Sequence, residues 1–497
     1  MADNNENGIW AKYLKNAFAP AFLGKFDFVI GNPPWIRWDF LSDDYRKATL
    51  KLWHKYGLFS LKGYEGRLGG GKKDFSMLFT YACADNYLKD KGILGFVITI
   101  DVFKSKGRGE GFRSFTIKNN NVNLKVLSME HLVDVEPFTT ARNRNKTSIF
   151  FLRKGEKTTY PVHIIEWRKK HGIGKITPDW SLEKVIENSE LKNLEAIPIV
   201  SKKLTSSWQT GSVSNHRLFD KIKGKNPYKA HAGVYGVPYG VFWMELKEVR
   251  PDGKIVVKNM TERGDIKVQP VTTVIESDLI FPAVSGRNIT RFGIKSHFYM
   301  LVPQNPKTRK PYPEDWMLEN TPMTFAYLKQ FEKVLLSRRS KSVRELANKT
   351  EPYAIFGVGE YTFEKYRVTW MGLTDRISAV VLSKIRTDFG IKPIISTHLT
   401  SFIPVDNKEE AHYLCAVLNS ELVNNFIKSF SLRGGGFGTP SSIKPLAIPQ
   451  FDPNNKIHKK LAELSEEAHN HVKRDIDISD IEKEINSEVE KLWNIKY

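Results

Sequence analysis

The residues best suited to chemistry lie in one stretch, Phe26-Asp27-Phe28-Val29-Ile30-Gly31-Asn32-Pro33-Pro34-Trp35. Phe26 to Ile30 is apolar apart from Asp27 and ends in two β-branched residues, so it reads as a buried parallel strand. Two prolines cannot extend a sheet ladder, and Pro33 biases Asn32 away from helix. An amide and an indole are thus presented on a stiff turn at the carboxyl end of a strand, where open α/β sheets place ligands. The chemistry this suits is alkylation of an amine. The exocyclic amino group of a base is a poor nucleophile, because its lone pair is delocalised into the ring. The Asn32 side-chain carbonyl and the Pro33 backbone carbonyl are two acceptors. Aimed at one NH2, they draw its hydrogens out of the ring plane and favour the geometry of attack. Trp35 offers a flat face for an extruded base. The plainer alternative is a strand-to-turn connection without chemistry.

The stretch resembles motif IV, Asn-Pro-Pro-aromatic, of the amino-group DNA methyltransferases that make N6-methyladenine, with Trp35 where Tyr or Phe is usual. The same tetrad occurs in glutamine and RNA methyltransferases, so it names a reaction better than a substrate. The resemblance implies S-adenosyl-L-methionine as methyl donor and Asn32, Pro33, Pro34 and Trp35 as the catalytic turn.

The elements that must position this turn lie on both sides of it. Ile9, Trp10, Tyr13, Leu14, Ala17 and Phe18 fall at helical spacing over 8–23 and feed the strand. A family member carries, well before motif IV, a strand and glycine-rich turn for the cofactor, and neither fits here. The chain therefore resembles the second half of a methyltransferase. Three explanations are open: the first half lies on a second subunit, the sequence is a fragment, or catalysis is lost and a DNA-binding module remains. A cut parallel sheet leaves an adhesive edge, which favours a partner.

After the turn, 40–60 reads as a helix anchored by Leu50, Trp53 and Tyr56. Gly69-Gly70-Gly71 marks a loop. A helix from Asp74 to Leu88 ends at Lys91-Gly92, and Ile93–Ile98 is the next buried strand, which makes a crossover unit. In order and spacing these match the family's motifs V and VI. The resemblance assigns Phe79 and Asp27 to the cofactor; a core Phe is the alternative for Phe79. Gly107–Gly111 lacks the strand context of a nucleotide loop and reads as a loop opening a helix over Phe112–Ile117. Strands at Leu124–Met129 and Ser148–Leu152 flank Phe138. In the family this hairpin closes the sheet, and the resemblance implies that Phe138 covers the second face of the flipped adenine; a core Phe is the alternative. Arg142, Arg144 and Lys146 follow as candidates for flanking phosphates, with a solvated loop as the alternative.

Composition sets the wider limits. With 497 residues there is room for two or three domains. A net charge of +21 points to a polyanion, and nucleic acid is the usual one for a folded chain. No long uncharged apolar run supports a membrane partner. Cys83 and Cys415 make neither a disulfide framework nor a zinc cluster. The N-terminus has no signal pattern, so the chain reads as cytoplasmic.

From about Trp208 the character changes to short β-rich runs broken by Gly, Pro and Asn. Examples are Gly233–Pro238, Leu279–Ile289, Phe356–Tyr361 and Arg367–Met371. Basic clusters interleave with them, which suits a DNA groove reader using Arg287, Lys307, Arg309, Arg338, Arg339 and Arg433. A helix through Leu418-Asn419-Ser420, then Arg433–Gly438, then a segment ending Ile448-Pro449, is similar to target-recognition domains of type I specificity subunits and type IIG restriction–modification enzymes. The fold class expected is α/β. It comprises the second half of a Rossmann-like methyltransferase sheet (1–155), a connector with some strand content (156–205), a β-rich recognition domain (206–452) and terminal helices (453–497). The function expected is N6-adenine methylation of double-stranded DNA within a restriction–modification or phage-defence system. A specificity module without catalysis and an RNA or protein methyltransferase are the alternatives.

Overall fold

The computed structural model describes residues 12, 15, 23–59, 73–138, 147–264, 266–338, 341–431 and 436–495. The helix expected over 8–23 and the glycine run Gly69–Gly71 lie outside the described residues. The chain divides into two compact units, Met1–Arg217 and Leu218–Tyr497. Among the described residues no helix is long and apolar enough to cross a membrane.

The first unit contains β1 (Phe26–Gly31), β2 (Leu88–Thr99), β3 (Thr116–Ile117), β4 (Val122–Leu132), β5 (Thr147–Lys154), β6 (Val162–Lys169), β7 (Ser189–Pro198) and β8 (Trp208–Gly211). They form one sheet in the order β1-β2-β5-β4-β6-β7-β8, with β3 paired to β4. β1 and β2 are parallel, β5 is antiparallel to β2 and β4, and β4 and β6 are parallel. So β1, β2, β4 and β6 point one way and their carboxyl ends share a rim.

Among the described residues two α-helices lie between β1 and β2. In α1 (Asp43–Lys55) the Ser42 hydroxyl accepts from the Tyr45 amide, and Asp43 and Asp44 complement the helix dipole. Trp53 and Tyr56 are buried as expected, while Leu50 faces solvent. In α2 (Ser76–Asn86) burial extends round most of the helix, including Met77, Leu78 and Tyr81. The turn expected at Lys91-Gly92 is instead an irregularity inside β2. Lys91 adopts φ 61, and the register slips from Phe26↔Leu88 to Phe28↔Ile93. A Cβ on Gly92 would stand 3.0 Å from the Asp27 and Lys89 carbonyl oxygens, so a larger residue would crowd the close approach of the strands there.

Three further expectations are corrected. β1 is not buried: Phe26, Phe28 and Ile30 share a face and are 43%, 71% and 85% exposed. An apolar run reports that a strand wants an apolar neighbour, and no described element supplies one on that face. The helix expected over Phe112–Ile117 is a single 3-10 turn, Phe112–Ser114, stopped by Phe115 at φ 43 before β3 begins. Finally, the strand content expected in the segment 156–205 belongs to the first sheet itself. It supplies β6 and β7, so the β4–β5 pair lies inside the sheet rather than closing it.

The second unit is β-rich. Its strands are β9 (His231–Ala232), β10 (Trp243–Val249), β11 (Ile255–Asn259), β12 (Thr272–Ile275), β13 (Ile280–Val284), β14 (Ile289–Thr290), β15 (Gly293–Ile294), β16 (Phe298–Leu301), β17 (Tyr366–Met371), β18 (Ala379–Leu382), β19 (Lys384–Thr387), β20 (Gly390–Pro393), β21 (Ile395–Ser396) and β22 (Thr400–Val405). One sheet runs β12-β11-β10-β16-β13-β21 and another β18-β17-β22-β9; β14–β15 and β19–β20 are separate hairpins. Phe356 makes only an isolated bridge, to Tyr235, and Glu360–Phe363 is a 3-10 turn rather than strand. The segment ending Ile448-Pro449, a short strand in the domains it is similar to, makes one isolated bridge here, Lys223↔Leu446.

Helices α3 (Lys408–Asn419), α4 (Glu421–Phe430), α5 (Lys456–Lys473) and α6 (Ser479–Leu492) complete the unit. Side chains from them close the free edge of β18. The Asn419 amide accepts from Ala379 N–H at 2.8 Å and donates to Ala379 C=O at 2.9 Å. Asn424 accepts from Ile377 N–H at 2.7 Å, and His469 Nε2 accepts from Val381 N–H at 3.0 Å. The Leu-Asn-Ser sequence thus has a structural purpose: Asn419 substitutes for a peptide of the missing neighbouring strand.

Candidate active site at the carboxyl rim of the first sheet

β1 ends at Gly31, paired with Phe96 of β2. Beyond it Asn32 and Pro34 are exposed, Pro33 is buried and Trp35 is half-buried. The exposed amide stands clear of the apolar core, as ligand contact requires. Trp35 is fixed by its indole N–H, which donates to the Val97 carbonyl at 3.1 Å. Its ring meets Phe138 edge to face, with centroids 5.4 Å apart and planes at 89°. Sequence reasoning placed these two aromatics on opposite faces of one base. The structure brings them together, in direct contact and nearly perpendicular rather than as parallel walls.

The chain leaving the turn is clamped to the start of α2. Phe75 N–H donates to Ile36 C=O at 2.8 Å, and Trp38 N–H to Lys73 C=O at 2.8 Å. Below them Trp38, Trp53, Phe59 and Phe75 form an aromatic cluster with centroid spacings from 5.2 to 6.1 Å. Phe79, one turn into α2, is half-buried and packs on Phe75 at 5.3 Å. Asp27 does not fit its assigned cofactor role. It lies five residues before Asn32, on the order of 16 Å back along the strand, at the opposite end from the rim. Its carboxylate pairs there with Lys89 at 2.9 Å.

Two rim groups were missed by sequence reasoning. Asp74 stands two residues before α2, and its carboxylate accepts from Ser76 N–H at 2.9 Å. Burial pushes its carboxyl up to about 6, and the Asp101 carboxylate, which follows β2, adds to the rise. Lys73 is buried with its ammonium on the Arg108 carbonyl at 3.0 Å, and burial pulls it down to about 8. The sequence signal was present: a polar Lys-Asp pair directly before an apolar helix is a start signature.

The basic candidates separate. Arg287, Lys307 and Arg309 are exposed. The turn carrying Lys307 and Arg309 is rigid: Asn305 Oδ1 accepts from the Lys307 and Thr308 amides, and the buried Gln304 donates to Arg309 C=O. Arg309 lies over Tyr361, 5.7 Å from its ring centroid. Arg338 is a correction. It is 2% exposed and donates to the carbonyls of Leu335, Val237, Ala354 and Pro352, so its charge is spent on the fold and is not offered to DNA. Arg142, Arg144, Lys146, Arg339 and Arg433 lie outside the described residues.

Comparison with known proteins agrees with this architecture. A family model described as Eco57I restriction-modification methylase matches residues 2–132. Type II methyltransferase M.NspV of Nostoc sp. (strain ATCC 29411 / PCC 7524) is 31% identical over 156 residues, which is 31% of this chain and 30% of that protein. The match thus takes in about a third of the curated relative. The Type IIL restriction-modification enzyme MmeI, whose structure is of a complex with DNA, has a TM-score of 0.57 at 13% identity, covering 95% of this chain and 55% of that one. The chain therefore shares a mixed α/β fold with that enzyme, and its N-terminal part is similar to restriction–modification methyltransferases.

Proposed function

We propose that the first unit is the motif IV half of an S-adenosyl-L-methionine-dependent methyltransferase acting on adenine N6 in double-stranded DNA. The second unit finds the target site. The cofactor, when bound, supplies an electrophilic methyl group. Asn32 and the Pro33 carbonyl hold the amino group of a flipped adenine and turn its lone pair toward that methyl. Trp35 supports one face of the ring, and Phe138 moves off its edge contact to cover the other. The bound cofactor would supply the methyl to that nitrogen and leave as the thioether, and solvent at the exposed rim would take the proton the nitrogen then loses. The glycine-rich cofactor half comes from a second subunit or another segment and pairs along β1. Such a protein works in the cytoplasm, in a restriction–modification or phage-defence system.

The observation that carries this reading is the exposed Asn32 amide at the rim, beside an indole pinned to Val97 and touching Phe138. The test is transfer of labelled methyl to duplex DNA, by the chain alone and with a cofactor-binding half supplied. Asn32→Ala should abolish transfer with duplex affinity nearly unchanged. Duplex binding without transfer in either case favours the specificity-module reading instead. Stronger competition by RNA than by duplex at matched salt would move the substrate to RNA.

A further inference from the structure

The hairpin β19–β20 belongs to neither larger sheet of the second unit. It pairs Lys384↔Pro393, Ile385↔Lys392, Arg386↔Ile391 and Thr387↔Gly390 around the tip Asp388-Phe389. Gly390 takes φ 123, a conformation few side chains tolerate. Thr387 Oγ1 donates to Gly390 C=O at 2.8 Å and accepts from Phe389 N–H at 3.3 Å.

The two faces of this ribbon differ in kind. On the inner face Ile385 packs against a small core of Val284, Ile289, Val380, Leu382 and Ile394. Its partner Lys392 lies over the Phe281 ring at 5.1 Å and donates to Ser277 C=O at 2.9 Å. The inner face therefore pins the ribbon. On the outer face Lys384 and Arg386 are exposed, and Ile391, directly across from Arg386, is 67% exposed. Among the described residues neither Lys384 nor Arg386 has a side-chain ion pair or hydrogen bond.

We infer that the outer face of β19–β20 enters the major groove of duplex DNA and reads bases there, an inference that rests on the DNA function proposed above. A major groove about 12 Å wide admits a two-stranded ribbon, and four residues per strand span about 13 Å. The Arg386 fork matches the O6 and N7 acceptors of guanine, and the Ile391 methyls match the 5-methyl of thymine. Lys384 adds a contact to guanine or phosphate. Because the inner face holds the ribbon rigid, little ordering entropy is lost on contact. The chain's +21 charge supplies the attraction that brings the duplex close.

The experiment is selection from a randomised duplex library with the full chain, the Arg386→Ala variant and the Ile391→Ala variant, alongside salt titrations. Arg386→Ala should relax the preference at one base pair at least about tenfold, leaving the other positions intact. Its salt dependence should change by no more than one phosphate contact. Ile391→Ala should relax a thymine preference at a neighbouring position. Variants that select the same sequences as the wild type overturn the inference, as does a wild type that binds duplex with no sequence preference. A wild type that binds no duplex overturns the DNA function itself.

Discussion

Replacing Phe28 and Ile30 together by threonine tests whether the face of β1 is open in solution. Residues two apart on a strand share a side, so Phe26, Phe28 and Ile30 form one apolar row. Their exposures of 43%, 71% and 85% leave about two side chains of apolar surface in water, worth about 3–6 kcal/mol to a partner that covers it. For the chain alone the double substitution removes almost no burial. Threonine keeps strand propensity, and exposed sites usually cost within about 0.5 kcal/mol each. The melting temperature should then move by no more than about 4 °C for a unit of this size. The same variant should lose concentration-dependent self-association in sedimentation velocity and bind less of a hydrophobic dye. Binding to a supplied cofactor half should weaken by about 30- to 1,000-fold, from some 2–4 kcal/mol of lost burial. A melting temperature lowered by more than about 8 °C would show that the face is packed in solution. Undiminished self-association would show that it is not the adhesive surface. Either result refutes the reasoning.

Asp74 holds its proton up to about pH 6 in the folded chain, against an ordinary value of 3.8. Stability therefore falls as pH rises through that window, by up to about 3 kcal/mol, so Asp74→Asn should raise the melting temperature over wild type at pH 8 and not at pH 4. Asn419→Ala leaves the buried Ala379 N–H without its partner, while the Ala379 C=O keeps its bond from Phe292 N–H at 2.9 Å, and urea unfolding should show a loss of about 1–3 kcal/mol. Arg338→Ala should cost at least about 3 kcal/mol, and Arg338→Lys should recover less than half because a point charge cannot fork among four carbonyls; the salt dependence of duplex binding should be unmoved in both variants.

How much of this was legible in the sequence follows from the range of each interaction. The turn at Asn32–Trp35 was legible because it is local: two prolines stop a strand wherever the strand sits, and the sheet rule then places the turn at the rim. The meeting of Trp35 with Phe138 came through the resemblance, since 103 residues separate them and no spacing argument reaches so far. Burial of β1 was misread because hydrophobicity records demand for a neighbour, not its presence. Arg338 was misread because a run of cations looks the same whether it coats a surface or one member folds inward onto carbonyls. The segment 156–205 reads as a connector with some strand content, and nothing local shows that its strands join the first sheet, where Val162 and Ile164 are buried. The ribbon was invisible for a related reason. Lys384, Ile385 and Arg386 alternate like any half-buried strand, and only the pairing of Arg386 with Ile391 shows a cation and a bare aliphatic side chain facing outward together. Chemistry that depends on one turn can be read from a sequence; recognition that depends on which face of a paired strand points out needs the register.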